Sequence, residues 1–283
     1  MILKPKIIEA RIISETEGIY DKAESRSIAG LILEEVFNLD QNSIFLNRAF
    51  DGDDYREIRL NEIVERLKRN EPIQHILGFG WFMGRKFNVS RDALIPRQET
   101  EELVDLILSE NPEKRLRILD IGTGSGCIAI CLALVLTDAE VHASDISSSA
   151  LEIAKQNAKL NDIDLHFHQG DIFLSFPDIE APDIIICNPP YIGNSEKADI
   201  HRNVLDYEPD LALFVNDNDP LIFYRKVIGW AEVKLNKGGR IYFEINESKG
   251  EDVNKLFNRN LFNEIRVVKD INNKDRVIRA TKV

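Results

Sequence analysis

RILDIGTGSGCIAICLALVL, residues 117–136, decides the fold. Ile118, Leu119 and Ile121 dominate 117–121, and an apolar run of that length with β-branched side chains reads as a buried strand. Glycines follow at 122, 124 and 126, and the apolar stretch 127–136 then reads as a buried helix. Closely spaced glycines let the backbone turn tightly and approach a ligand with no Cβ in the way. A second strand, 140–144, ends at Asp145, which lies 19 residues after Gly126. A carboxylate at that strand tip can accept hydrogen bonds from both hydroxyls of a ribose.

Outward from this unit the chain keeps alternating. Further strands are expected at 164–169, 183–187, 239–245, 264–269 and 276–281, with helical patterns between most of them, as at 150–160 and 220–235. Such alternation predicts a doubly wound, Rossmann-like α/β domain whose ligands sit at the C-terminal strand ends. Upstream, residues 23–38 and 60–68 place apolar side chains at helical spacing, which predicts a small helical domain over 1–75. Residues 76–97, with Gly78, Gly80, Gly84 and Pro96 among aromatic and β-branched residues, read as a β-hairpin linker. The α/β domain then occupies 98–283, with Thr100 as the expected N-cap of its first helix.

The formal net charge is −12 among 283 residues, which disfavours a nucleic-acid partner because phosphate binding draws on cationic side chains. No apolar run reaches the length of a membrane span, and the N-terminus has no secretion signal, so no membrane role and a cytoplasmic location are expected. Cys127, Cys131 and Cys187 form no CxxC pair and read as buried thiols, so no metal site is expected.

Two further segments carry chemistry. Gly170-Asp171-Ile172 follows the third strand, where Asp171 suits an adenine amino group and Ile172 its ring face. The tight GxGxG spacing, with Gly122, Thr123, Gly124, Ser125 and Gly126 around the turn, points to S-adenosylmethionine; a dinucleotide loop usually places its third glycine one position later. The strand at 183–187 ends in Asn188-Pro189-Pro190-Tyr191 and should lie beside the first strand, facing the same crevice. An amide or exocyclic amine nitrogen is a poor nucleophile because its lone pair is delocalised. The Asn188 side-chain carbonyl, itself within reach of the cofactor, and the Pro189 backbone carbonyl can accept its two N–H bonds. Pro190 stiffens the turn, and Tyr191 offers a flat face for the planar group. Catalysis is then mainly placement, a source of roughly 7–11 kcal/mol for well-oriented reactants.

The chain resembles the HemK/PrmC-type release factor glutamine methyltransferases over nearly its whole length. The resemblance rests on EPIQHILG (71–78), IPRQETE (95–101), ILDIGTGSGCIA (118–129), NPPYI (188–192), YEP (207–209), LALF (211–214), FYR (223–225) and DRV (275–277). It implies a helical N-terminal substrate-docking domain, a hairpin linker and a seven-stranded class I methyltransferase domain. It also implies N5-methylation of the glutamine in the Gly-Gly-Gln motif of peptide chain release factors. Residues 122–126 and Asp145 carry over as cofactor contacts, Ile172 stands near the adenine where the family often has Trp, and residues 188–191 carry over as the glutamine site. Gln98, Lys249 and the segment VNDNDP (215–220) depart from the family's usual Pro, Gln and glycine-rich turn.

Other chemistries share these residues. An amine of adenine or cytosine in nucleic acid presents the same NH2 geometry, as does a glutamine of a ribosomal protein. A non-catalytic adenosylmethionine-binding protein would not need Asn188, and a dinucleotide dehydrogenase has no use for Asn-Pro-Pro-Tyr.

Overall fold

The computed structural model describes residues 2–112 and 115–283. The chain divides into two compact units: one runs to Leu77 and takes in His201–Tyr207, and the other comprises Gly78–Ile200 and Glu208–Val283.

The first unit is helical. A two-residue strand β1 (Ile2–Leu3) precedes α1 (Pro5–Glu15), α2 (Lys22–Glu35) and α3 (Gln41–Phe45); β2 (Phe50–Asp51) pairs antiparallel with β1, and α4 (Asp54–Leu67) and α5 (Ile73–Leu77) follow. Ile8, Ile12, Ile28, Ile32, Leu60, Ile63, Val64 and Leu67 meet in its core. Three helices start on aspartates whose carboxylates accept backbone N–H groups: Asp21 before α2, Asp40 before α3 and Asp53 before α4. These caps satisfy donors that the first helical turn leaves orphaned. The Asp53 cap starts α4 six residues before the expected helix at 60–68; that first turn and a half is polar, with Tyr55 and Ile58 exposed, so periodicity alone misses it.

The second unit opens with a hairpin, β3 (Phe79–Phe82) and β4 (Arg85–Asn88), then α6 (Gln98–Glu110). The doubly wound part follows: β5 (Arg117–Ile121), α7 (Cys127–Val135), β6 (Glu140–Asp145), α8 (Ser148–Leu160), β7 (His166–Gln169) and β8 (Ile184–Cys187). A short excursion carries β9 (Ile192–Gly193), α9 (Arg202–Leu205, in the helical unit), α10 (Asp210–Leu213) and β10 (Phe214–Val215). The chain closes with α11 (Ile222–Lys234), β11 (Arg240–Glu244), α12 (Gly250–Asn254), β12 (Phe262–Lys269) and β13 (Asp275–Lys282).

Seven strands form one sheet in the order β12-β13-β11-β8-β5-β6-β7. All run parallel to their neighbours except β13, which is antiparallel to β11 and β12. The seven-stranded α/β domain implied by the resemblance is therefore present. Side chains of a strand alternate between faces, and here the alternation separates two cores. Ile118, Ile184, Ile186 and Tyr242 face α6, α7 and α8, whereas Leu119, Ile121, Ile185, Cys187, Ile241 and Phe243 face α11 and α12. Burial on both faces explains why β5 and β8 read as near-continuous apolar runs.

Thr100 does not cap its helix. α6 begins at Gln98 with Arg97 in the cap position, and Thr100 is buried inside the first turn with its hydroxyl donated to Glu244 Oε2 at 2.7 Å.

Candidate active site

The parallel strands β5, β6 and β8 end on one side of the sheet, and β8 lies beside β5 with Cys187 opposite Ile121. The turn after β5 and the Asn-Pro-Pro-Tyr segment after β8 therefore emerge next to each other. Between them is a cavity of about 310 Å³. Gly122, Thr123, Gly124, Ser125, Asp145, Asp171, Ile172, Asn188, Pro189 and Pro190 all line it.

The glycine turn is built by local bonds. Gly122 N and Thr123 N donate to Ser144 O at 2.8 and 3.0 Å, tying the turn to the end of β6. Gly122 and Gly124 hold φ of +71° and +55°, and nothing stands within 4 Å of where a Cβ would project. That is the open cradle a ligand backbone or phosphate-free ribose needs. The Asp145 carboxylate accepts Gly124 N at 2.9 Å through one oxygen and Ser147 N at 2.9 Å through the other. Burial pushes its pKa up, opposed by those backbone donors. Each carboxylate oxygen keeps a second lone pair for a hydroxyl donor. Asp171 Oδ1 accepts Phe173 N at 2.8 Å, a local turn, while Ile172 is held by Trp230 Nε1 donating to its carbonyl at 2.9 Å. An acid at the ribose end, an apolar wall of Ile146 and Ile172, and the glycine cradle together fit the nucleoside of adenosylmethionine.

Two sequence-predicted residues lie outside the cavity lining. Gly126, φ +80°, begins α7; a Cβ there would meet Ala154 Cβ at 3.0 Å, so this glycine permits α7 and α8 to approach. Tyr191 packs its ring against the core beneath β8 and β11 and points its hydroxyl at Glu244 Oε1, 3.4 Å away. Among the described residues neither the Asn188 side-chain amide nor the Pro189 carbonyl is taken up by a hydrogen bond within the protein.

A family model described as the methyltransferase small domain matches residues 98–208, and one described as the PrmC N-terminal domain matches residues 18–78. A release factor glutamine methyltransferase of Bacteroides thetaiotaomicron is 44% identical over 97% of this chain and 99% of its own length. One of Flavobacterium psychrophilum is 42% identical over 97% of this chain and 98% of its own length. The chain belongs to the release factor glutamine methyltransferases. A methyltransferase of Pyrococcus furiosus, 14% identical with a TM-score of 0.52 over 81% of this chain and 99% of its own, shares the fold. The enzyme is thus an S-adenosylmethionine-dependent methyltransferase.

Several residues of this methyltransferase site escape a reading of the sequence. Asp120, at the end of β5, is buried; its Oδ2 accepts Thr123 Oγ1 at 2.6 Å and its Oδ1 has no partner. Burial raises its pKa from 3.8 to about 7, against the Thr123 bond. Asn157 of α8, fully buried, donates to Ser125 O at 2.9 Å and to Asn88 O at 3.1 Å, fastening the glycine turn to the hairpin. Glu208 accepts Ile95 N at 3.1 Å and pairs with Arg97, so the 93–97 and 208–212 walls of the cavity are joined. Asp120 and Glu208 are polar residues inside the family-like stretches and Asn157 lies outside them, and their partners lie more than 60 positions away except for Thr123 and Ser125.

Cys127 and Cys187 also line the cavity, and burial pushes both thiols up, so they stay protonated. Among the described residues no group of His, Cys, Asp and Glu is arranged to hold a metal ion, and no helix is long and apolar enough to cross a membrane.

Proposed function

We propose that the chain methylates the side-chain amide nitrogen of the glutamine in the Gly-Gly-Gln motif of peptide chain release factors. The observation that carries this reading is the pair of unengaged acceptors, Asn188 Oδ1 and the Pro189 carbonyl, at the wall of the cavity that fits adenosylmethionine. Its relatives bear the name of that reaction.

Bound adenosylmethionine supplies an electrophilic methyl group on a sulfonium sulfur. Asn188 and Pro189 accept the two N–H bonds of the glutamine amide, which turns the nitrogen lone pair out of the plane toward that methyl. The nitrogen forms the new N–C bond as the C–S bond breaks and the electron pair stays on sulfur. The methylated nitrogen then becomes acidic and gives its proton to solvent, so no strong base is required. Asp145 fixes the ribose, Ile172 covers the adenine, and the two prolines keep the acceptors from swinging away. Placement rather than acid–base chemistry accounts for the rate.

The reading assigns release-factor docking to the helical unit, which carries Phe45, Tyr55 and Ile58 as exposed apolar side chains. Phe45→Ser with Tyr55→Ser should raise the KM for release factor and leave adenosylmethionine affinity untouched; an unchanged KM removes the assignment. The reaction itself is tested with labelled adenosylmethionine and purified release factor. Label should enter the wild-type factor and not one whose Gly-Gly-Gln glutamine is replaced by alanine. Equal labelling of both refutes the proposed target, and label entering nucleic acid instead supports the base-amine reading.

A further inference from the structure

Glu244 closes β11, and β11 pairs with β8 so that Phe243 lies opposite Cys187. The Glu244 side chain therefore stands at the level of Asn188 on the adjoining strand end. It is 2% exposed. A carboxylate withdrawn from water is costly unless its oxygens are bonded, and both are: Thr100 Oγ1 donates to Oε2 at 2.7 Å and Tyr191 Oη to Oε1 at 3.4 Å. Tyr224 Oη donates to the Glu244 backbone carbonyl at 3.2 Å and fixes the strand end itself. Arg276 lends a nearby positive charge but spends its own hydrogen bonds on Asp270. An apolar side chain of similar volume would fill this place with no desolvation penalty, so the acid calls for a task other than packing.

The neighbours name the task. Thr100 lines the cavity from the first turn of α6, and Tyr191 ends the loop that carries Asn188 and Pro189. Pro189 and Pro190 each have φ fixed by their rings. With the loop's start set by β8, anchoring Tyr191 leaves the two acceptors little freedom.

We infer that Glu244 is a positioning residue for methyl transfer, which holds the Asn188-Pro189-Pro190-Tyr191 loop by accepting the Tyr191 hydroxyl and ties it to α6 through Thr100. The inference rests on the proposed role of Asn188 and Pro189 in holding the glutamine amide. Glu244 touches neither reactant; it acts through Tyr191. A displacement of about 1 Å at a reacting centre slows reaction by roughly a hundredfold, and loss of one tether to a loop already stiffened by prolines should produce a fraction of that, about tenfold.

The test uses the full chain, purified release factor and saturating adenosylmethionine. Glu244→Gln keeps the shape and can still accept from Thr100, but puts at Tyr191 an NH2 that can only donate, so the charge-assisted bond from the Tyr191 hydroxyl to a carboxylate is lost. Tyr191→Phe removes the hydroxyl and keeps the ring. Each is expected to lower kcat about tenfold, with KM for release factor and the Kd for adenosylmethionine within about twofold of wild type. The double variant should be no slower than the slower single variant, because both remove the same charge-assisted bond. A double variant slowed by the product of the two factors overturns the inference, as does Glu244→Gln with wild-type kcat. Should Glu244→Gln fail to fold, Thr100→Val replaces it in the same cycle: a lowered kcat that Tyr191→Phe does not lower further supports the tether, and a wild-type kcat or independent losses overturn it. Absence of transfer by the wild-type enzyme would instead remove the proposed function, and the inference with it.

Discussion

Gly126→Ala should unfold this enzyme more readily than it disturbs the cofactor, and Gly124→Ala should do the reverse. Both glycines hold positive φ, +80° and +55°, and an L residue pays about 1–2 kcal/mol to adopt that region. There the two sites part. At Gly126 a new Cβ meets Ala154 Cβ at 3.0 Å, Ile130 Cδ1 at 3.1 Å and Ala154 Cα at 3.3 Å. Ala154 is fully buried on α8, and its backbone cannot step aside without moving the helix. Overpacking of this kind costs a further ~1–3 kcal/mol, which makes roughly 2–5 kcal/mol in all. At Gly124 nothing stands within 4 Å, so only the backbone cost of ~1–2 kcal/mol applies. Its Cβ, however, projects where Gly124 lines the cavity, beside an N–H that holds Asp145. Urea unfolding should show the lower midpoint for Gly126→Ala at an unchanged slope, and calorimetry the larger loss of adenosylmethionine affinity for Gly124→Ala. Gly126→Ala as stable as Gly124→Ala would refute the assignment of Gly126 to helix packing.

Asn188→Ala should leave adenosylmethionine affinity nearly unchanged and slow transfer roughly a hundredfold or more, the scale of losing an oriented polar contact at a reacting centre; Asp145→Ala should instead weaken cofactor binding, and calorimetry beside single-turnover assays separates the two. Asp120 makes the cofactor-free fold pH-dependent. Its folded pKa lies above the unfolded one, near 7 against 3.8, so its contribution to stability is fully present below about pH 4 and is lost as pH rises toward 7. That displacement corresponds to on the order of 4 kcal/mol. Asp120→Asn should flatten the fall in thermal midpoint between about pH 4 and about pH 7; an identical fall in wild type and variant would contradict it.

The sheet was legible because its central strands are buried on both faces. IIIC at β8 and ILDI within β5 leave little choice but a covered parallel strand, and the glycine turn and Asp145 follow from their order along the chain. The edge strand β7 is shorter than expected, His166–Gln169, since Asp164 does not join the ladder and Leu165 turns into the core beside it. Thr100 shows the limit of local reading. It carries the composition of an N-cap, a hydroxyl ahead of two acids, but Glu244, 144 positions later, takes that hydroxyl. Asn157, Glu208 and Glu244 act through partners that only the closed sheet brings near, so no spacing in the sequence marks them. Gly126 sat in a motif that reads as ligand-binding, and its crowding by Ala154 becomes visible only when α7 and α8 are packed together.

The central claim is that Asn188 and Pro189 present a glutamine amide of a release factor to adenosylmethionine. Peptide mass spectrometry of release factor incubated with the enzyme and cofactor tests it most directly. The account predicts a single added methyl on the side-chain nitrogen of the Gly-Gly-Gln glutamine, absent when Asn188 is replaced by alanine. A methyl on any other residue, or an equal yield at that glutamine from the Asn188 variant, would contradict it.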